Sequence, residues 1–210
     1  MSDDQLSKID EDRHEVHFKA GETLFKNGGP LTHMICLTKG MVKVYLESPH
    51  SDKRTIIKIG KPVEMILGPG YLVDNRHHFS VVAVEDTTAC FIEVERNKQV
   101  MKNNPEYTMA VLQHVNKIIV KQYDKMLSLA HKHTHGKLAE SLLYLSKEIY
   151  NNDVFDTKLS RQDLADLAAM TKETTIRVLK EFSEEKLIIC EQNHFEILNS
   201  EKLIQISKFG

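Results

Sequence analysis

Three cysteines in 210 residues (Cys36, Cys90 and Cys190) are too few and too far apart to carry sulfur chemistry. Their odd number and wide spacing fit neither a disulfide framework nor a metal site, so they read as buried small hydrophobes in a reducing compartment. No apolar run approaches the ~18 residues a membrane-spanning helix needs. The opening MSDDQLSKIDEDRHEV is charged and acidic, unlike a secretory signal. A cytoplasmic location is therefore expected. Catalytic signatures are missing as well: there is no Ser/His/Asp elbow, no paired-carboxylate pattern and no zinc-hydrolase motif. Gly68-Pro69-Gly70 lacks the following Gly-Lys of a phosphate loop. An enzyme is not expected. Nor is there an excess of basic charge: 28 Lys and Arg face 30 Asp and Glu, for a net charge of −2. From residue 136 onward ten Lys/Arg stand against thirteen Asp/Glu. A nucleic-acid partner usually leaves a basic footprint, so any such footprint here must be local.

What is present is most informative at residues 159–182, LSRQDLADLAAMTKETTIRVLKEF. Leu164, Leu167 and Ala168, then Ile176 and Leu179 with Val178, recur at helical spacing and predict two short helices joined by a tight turn. Ser160 and Thr171 stand where a hydroxyl can accept from the orphan N–H groups of a helix start, and Asp163 makes the first site resemble a capping box. The second helix leads with Lys172, Glu173, Thr174 and Arg177, side chains suited to base edges, since arginine forks onto guanine and glutamate accepts from cytosine. Arg161, Lys172, Arg177 and Lys180 are expected to face a duplex, with Glu181, Glu184 and Glu185 turned away. The competing interpretation of the segment is an ordinary helical hairpin. Two β-rich runs, 187–190 and 194–198, follow around the polar residues 191–193, a hairpin length. Helix, turn, helix and hairpin in that order make a winged helix, whose wing gives register through phosphates.

Residues 14–96 alternate short β-rich runs with Gly and Pro punctuation at the spacing of an all-β sandwich or barrel, a domain type that serves as a ligand pocket or an interaction module. The period then turns helical. Pro105 suits a first turn, and Met109, Leu112, Val115, Ile119, Tyr123, Met126 and Ala130 step by three or four. A helix of this length with an uncovered apolar seam is a place for two copies to pair. Gly136 is expected to end it and act as the hinge, with a further helix over 137–150. The tail after residue 198 carries no clear signal. The domain division expected is 1–104 for the β domain, 105–135 for the long helix and hinge, and 136–210 for the winged helix.

In this order the chain resembles the bacterial Crp/Fnr transcription regulators, from about Gly21 to Leu198. The residues that carry the resemblance are Gly21-Glu22-Thr23-Leu24, Gly40, Thr87-Thr88-Ala89-Cys90, Gly136-Lys137-Leu138-Ala139 and Thr171-Lys172-Glu173-Thr174-x-x-Arg177. The resemblance implies an α+β architecture: a cyclic-nucleotide-binding-like β-roll of jelly-roll type, a dimerisation helix and a winged helix-turn-helix. It also implies a homodimer on a near-palindromic double-stranded DNA site, with an effector that reorients the DNA-binding domains. Glu173 and Arg177 fall on base-reading positions, and Lys172 where the cAMP receptor protein has a base-reading arginine. Arg161 falls on a phosphate-contacting position, flanked by Ser160 and Gln162. Ile176 stands where Fnr-type members carry a serine, which leaves the half-site preference open. Contact with RNA polymerase is a further partner the resemblance allows.

The departures from the family point away from its best-known ligands. Cyclic-AMP-binding members use a glutamate in a Gly-Glu-Leu turn and an Arg-Ser pair. Counting back from Thr88-Ala89-Cys90, that pair falls on Ser80-Val81, and Gly68-Pro69-Gly70-Tyr71-Leu72 occupies the turn without an acid. An anion needs a cationic partner to offset its desolvation, so cAMP is not expected to bind. An iron–sulfur cluster needs four cysteine ligands and is not expected either. The candidate effector pocket comprises Gly70, Tyr71, Arg76, His77, His78 and Ser80. Some family members ligate haem through histidine here, so His77-His78 makes haem one option, beside solvated loop histidines, with some other small hydrophobic or anionic effector, or no ligand at all, as the further alternatives. His131 and His135 share a face if the helix continues, half a metal site at best, and no metal is expected. The reading from another functional class is a regulatory protein whose helix pair docks on protein rather than DNA.

Overall fold

The computed structural model describes residues 14–210. They fall into two compact units, one of residues 14–47 with 58–123, the other of 48–57 with 124–210.

The β-rich runs become β1 (His14–Phe18), β2 (Thr23–Phe25), β3 (His33–Lys39), β4 (Val42–Glu47), β5 (Arg54–Gly60), β6 (Met65–Ile66), β7 (Ser80–Ala83) and β8 (Thr87–Glu93). They form two four-stranded sheets, ordered β1-β8-β3-β6 and β2-β7-β4-β5. Strand β3 pairs antiparallel with β8, and β4 with β7. Ile35, Leu37, Val42, Val44, Val81 and Ala89 are buried and supply the apolar core. Gly40 turns β3 into β4 at φ +83°, where a Cβ would sit 2.5 Å from Thr87 Oγ1, so only glycine fits. The chain continues into α1 (Val94–Asn103) and α2 (Pro105–His131). Helix α1 replaces the end of the β-rich stretch expected to reach residue 96. Pro105 opens α2 with the Asn104 side chain accepting from Tyr107 N at 2.9 Å. The apolar stripe of α2 is exposed: Met109, Leu112, Val115, Ile119, Tyr123 and Met126 all stand in solvent.

The second unit contains α3 (Thr134–Tyr144), continued by a π-helical turn over Leu145–Tyr150, then β9 (Val154–Asp156), α4 (Arg161–Ala168), α5 (Lys172–Glu184), β10 (Ile188–Glu191), β11 (His194–Ile197) and α6 (Ser200–Phe209). Leu138, Leu142, Leu145, Leu164, Leu167, Val178, Phe182 and Leu203 form its buried core. The wing is a three-stranded sheet, β10-β11-β9. In the sequence, strand β9 hides behind the turn-prone Asn151-Asn152-Asp153.

One expectation fails against this architecture, and one silent stretch proves ordered. Gly136 neither ends the long helix nor sits at its break: α2 stops at His131, and Gly136 lies in the first turn of α3. A Cβ there would stand 2.6 Å from Gly210 O and 3.3 Å from Ile206 O, so the glycine serves a close backbone approach. The tail after residue 198 is also structured, because Asn199 accepts from Lys202 N and caps α6.

Candidate nucleic-acid interface

The helix-turn-helix is built by its caps. Ser160 accepts from Asp163 N, and the Asp163 carboxylate accepts from Ser160 N at 2.9 Å, completing a capping box. Ala169 closes α4 in the left-handed conformation, and Met170 N donates to Ala165 O, which ends the helix within one turn. Thr171 then accepts from Thr174 N at 3.2 Å and starts α5. Helix α5 is strongly two-sided. Thr175, Val178, Leu179 and Phe182 are buried, while Lys172, Glu173, Ile176, Arg177 and Lys180 are exposed along the opposite side. Thr174 is half-buried and accepts from the Thr171 hydroxyl at 3.0 Å. The spacing of Ile176 and Leu179 predicts a core position for both, but Ile176 is 46% exposed and lies among the charged residues.

Glu181 and Glu184, expected to face away from a duplex, are paired with the basic residues of α5. Arg177 Nη1 donates to Glu181 Oε1 at 2.6 Å, and Lys180 Nζ lies 3.5 Å from Glu184 Oε1. Residues four apart share a helix face, so spacing alone allows this pairing. Glu181 Oε2 is in turn 2.6 Å from His135 Nε2. The His135 bond, seconded by Arg177, holds the Glu181 carboxyl below its ordinary pKa.

Arg161 is committed to the wing. Its Nη2 donates to Gln192 O and to Cys190 Sγ, and its guanidinium lies 5.1 Å over the Phe195 ring. Burial pushes the Cys190 thiol pKa up. Gln162 donates to Asp166 Oδ1 at 2.7 Å. At the C-terminal end of α2, Lys125 Nζ donates to Leu167 O at 2.6 Å, placing a cation at the last turn of α4. Burial lowers the pKa of Lys125. No local sequence signal marks Lys125 or His135 for these contacts, since both partners lie more than forty residues away in the chain. His131 and His135 occupy separate helices, so the shared face expected for them does not form.

The candidate effector residues are engaged with different partners. His77 is buried at 3% exposure and stacks on Phe25 with centroids 4.1 Å apart, while His78 is exposed and pairs with Asp74 at 3.0 Å. The two histidines thus face different environments, and solvation does not describe His77. Among the described residues its Nδ1 is buried without a hydrogen-bond partner, and burial lowers its pKa. Arg76 Nη1 donates to Gly28 O at 2.8 Å. The Tyr71 hydroxyl points to Met101 Sδ at 3.7 Å, and Gly70 O accepts from the N–H groups of Val73, Asp74 and Asn75. Ser80 Oγ donates to Glu47 Oε2 at 3.1 Å and accepts from Asn27 N. A carboxylate bonded to Ser80, with Arg76 turned to a main-chain oxygen, is a poor fit for a cyclic phosphate. Among the described residues no group of three potential metal ligands occurs, and no helix is long and apolar enough to cross a membrane.

Comparison with known proteins fits both units. The model of the cyclic nucleotide-binding domain matches residues 15–104, and that of the Crp-like helix-turn-helix domain matches residues 136–206. The chain is 25% identical over 211 residues to the transcriptional regulatory protein btr of Bordetella pertussis, covering 98% of this chain and 86% of the relative. It is 24% identical over 193 residues to the transcriptional activator protein anr of Pseudomonas aeruginosa, covering 90% and 78%. In fold it is similar to FixK2 from Bradyrhizobium japonicum, with a TM-score of 0.84 at 17% identity over 92% of this chain and 96% of that one. With a nucleotide-domain-type β unit, a capped helix-turn-helix and a wing in the matched positions, the chain belongs to the Crp/Fnr family of transcription regulators and carries that family's DNA-binding domain.

Proposed function

We propose that the protein acts as a homodimer that reads a near-palindromic DNA site by placing α5 in the major groove. The observation that carries this reading is the two-sidedness of α5: its apolar side is spent on the core, and Lys172, Glu173, Ile176 and Arg177 stand exposed on the other. Arg177 is suited to guanine, Glu173 to cytosine N4, and Ile176 to the methyl of thymine. Lys180 and the wing supply phosphate contacts. Ser160, Thr171 and Thr174 shape the helix starts, and Arg161 supports the wing from which such contacts are made. Gln162 lies beside them on α4. The exposed stripe of α2 is the pairing surface, since two copies bury what one leaves in water. The effector is not cAMP, and the cytoplasm is where such a regulator works. RNA polymerase is its partner if it activates.

Equilibrium binding to a duplex selected from a random-sequence pool, over a range of salt, with sedimentation of the protein alone, tests this reading. A dimer whose DNA affinity falls steeply as salt rises is expected, through counterion release. A monomer, or a protein that binds no duplex at low salt, contradicts it.

A second reading, docking of the helix pair on another protein, is favoured by one observation: Arg177 and Lys180 are each paired with a carboxylate. That reading predicts no duplex binding at any salt.

A further inference from the structure

We propose that Glu181 is a positioning residue for base recognition: anchored by His135, it holds the Arg177 guanidinium in one orientation on the exposed face of α5. The inference rests on the reading that Arg177 contacts a base. Both oxygens of Glu181 are engaged, Oε1 by Arg177 Nη1 and Oε2 by His135 Nε2, each at 2.6 Å. An ionised carboxylate only accepts, so the proton between Glu181 and His135 resides on Nε2. His135 is fixed in turn, because it lies in the first turn of α3 and its ring meets Phe182 edge-on at 5.8 Å. Phe182 is 1% exposed. The chain of contacts therefore runs from the core of the unit, through His135 and Glu181, to an arginine at the surface.

The neighbouring pair on α5 shows what an unanchored partner looks like. Lys180 and Glu184 have the same i,i+4 spacing, but they stand 3.5 Å apart with side chains 77% and 63% exposed. Glu181 is only 33% exposed. A long arginine side chain must lose rotamer freedom before its fork can meet a guanine, and one already held loses less on binding. The bond from Nη1 leaves the edge formed by Nε–H and Nη2 for guanine O6 and N7. A carboxylate serving no such purpose would only repel phosphate, and its removal would strengthen binding to every sequence alike. The two roles predict opposite outcomes.

The test is binding-site selection from a random duplex pool, followed by affinity measurements on the selected duplex and its single-base variants. The proteins compared are the wild type, Arg177→Ala, Glu181→Ala, the double variant, His135→Ala and His135→Gln. Arg177→Ala first identifies the base pair whose preference disappears. Glu181→Ala is expected to lose roughly tenfold of the discrimination at that same base pair, with affinity for mixed-sequence DNA retained. The double variant is expected to discriminate no worse than Arg177→Ala. His135→Ala should follow Glu181→Ala, and His135→Gln, which keeps an N–H donor, should recover the preference. Recovery by glutamine excludes misfolding as the cause. The proposal is overturned if Glu181→Ala tightens binding to all duplexes with its base preference intact, or if it weakens discrimination equally when Arg177 is absent. If Arg177→Ala leaves every base preference unchanged, base reading by Arg177 has failed, and the positioning role fails with it.

Discussion

Arg177 and His77 show how a residue's chemistry depends on what its neighbours leave it. Arg177 stands exposed with one N–H given to Glu181. Replacing it with alanine is expected to cost about 1–3 kcal/mol of DNA affinity and to relax specificity at a single guanine. Equal loss on all sequences would make it a phosphate contact instead. His77 is buried, stacked on Phe25, and carries an Nδ1 with no hydrogen-bond partner among the described residues. Burial disfavours its imidazolium, so the folded chain keeps it neutral where the unfolded chain takes up a proton. Below the ordinary value of 6.5 the unfolded state binds more protons, and stability falls as pH drops through that window. Thermal unfolding of His77→Leu should show a shallower loss of stability on acidification than the wild type. At neutral pH it should stay within about 1 kcal/mol, because removing the orphan Nδ1 offsets the lost stacking. Identical pH slopes for the two proteins would show that His77 is not the titrating group.

At the scale of elements, α2 keeps an apolar stripe in water along its length, Met109, Leu112, Val115, Ile119 and Tyr123 among it. Glutamates at Leu112 and Ile119 place charge at the seam of a pair, and dimerisation should weaken by more than about 2 kcal/mol. Sedimentation should then report a monomer whose thermal unfolding is otherwise retained. A variant that stays dimeric would move the pairing surface off α2. The stripe is legible in the sequence because a period of three to four, sustained over some seven turns, matches a helix and no strand. Helices α4 and α5 are legible through Ser160, Thr171 and their apolar spacing. Short or polar elements are less visible. Strand β6 has two residues, β9 follows a turn signal, and α1 is polar with Val94 and Asn97 as its buried residues. The helix end expected at Gly136 falls earlier for a physical reason: glycine there answers to the backbone of residues 206 and 210, a tertiary approach that no local pattern reveals. Glu181 pairs with Arg177 because the two are four residues apart on one helix face, and that proximity outweighs any sorting of the helix into basic and acidic sides.

For the whole molecule, a net charge of −2 means that general electrostatic attraction to DNA is weak. On the proposed reading, specific base contacts on two half-sites supply most of the affinity. The β unit has the nucleotide-domain family match but sets Glu47 against Ser80 and turns Arg76 to Gly28 O. Calorimetry with cAMP should therefore detect no binding, and micromolar affinity would contradict this. Selection of duplexes from a random pool by the wild-type protein tests the central claim most directly. The account predicts an enriched two-fold symmetric motif whose half-sites lie about one helical turn apart, the geometry of a dimer presenting two recognition helices. Absence of enrichment, or a single asymmetric half-site bound by a monomer, would contradict it.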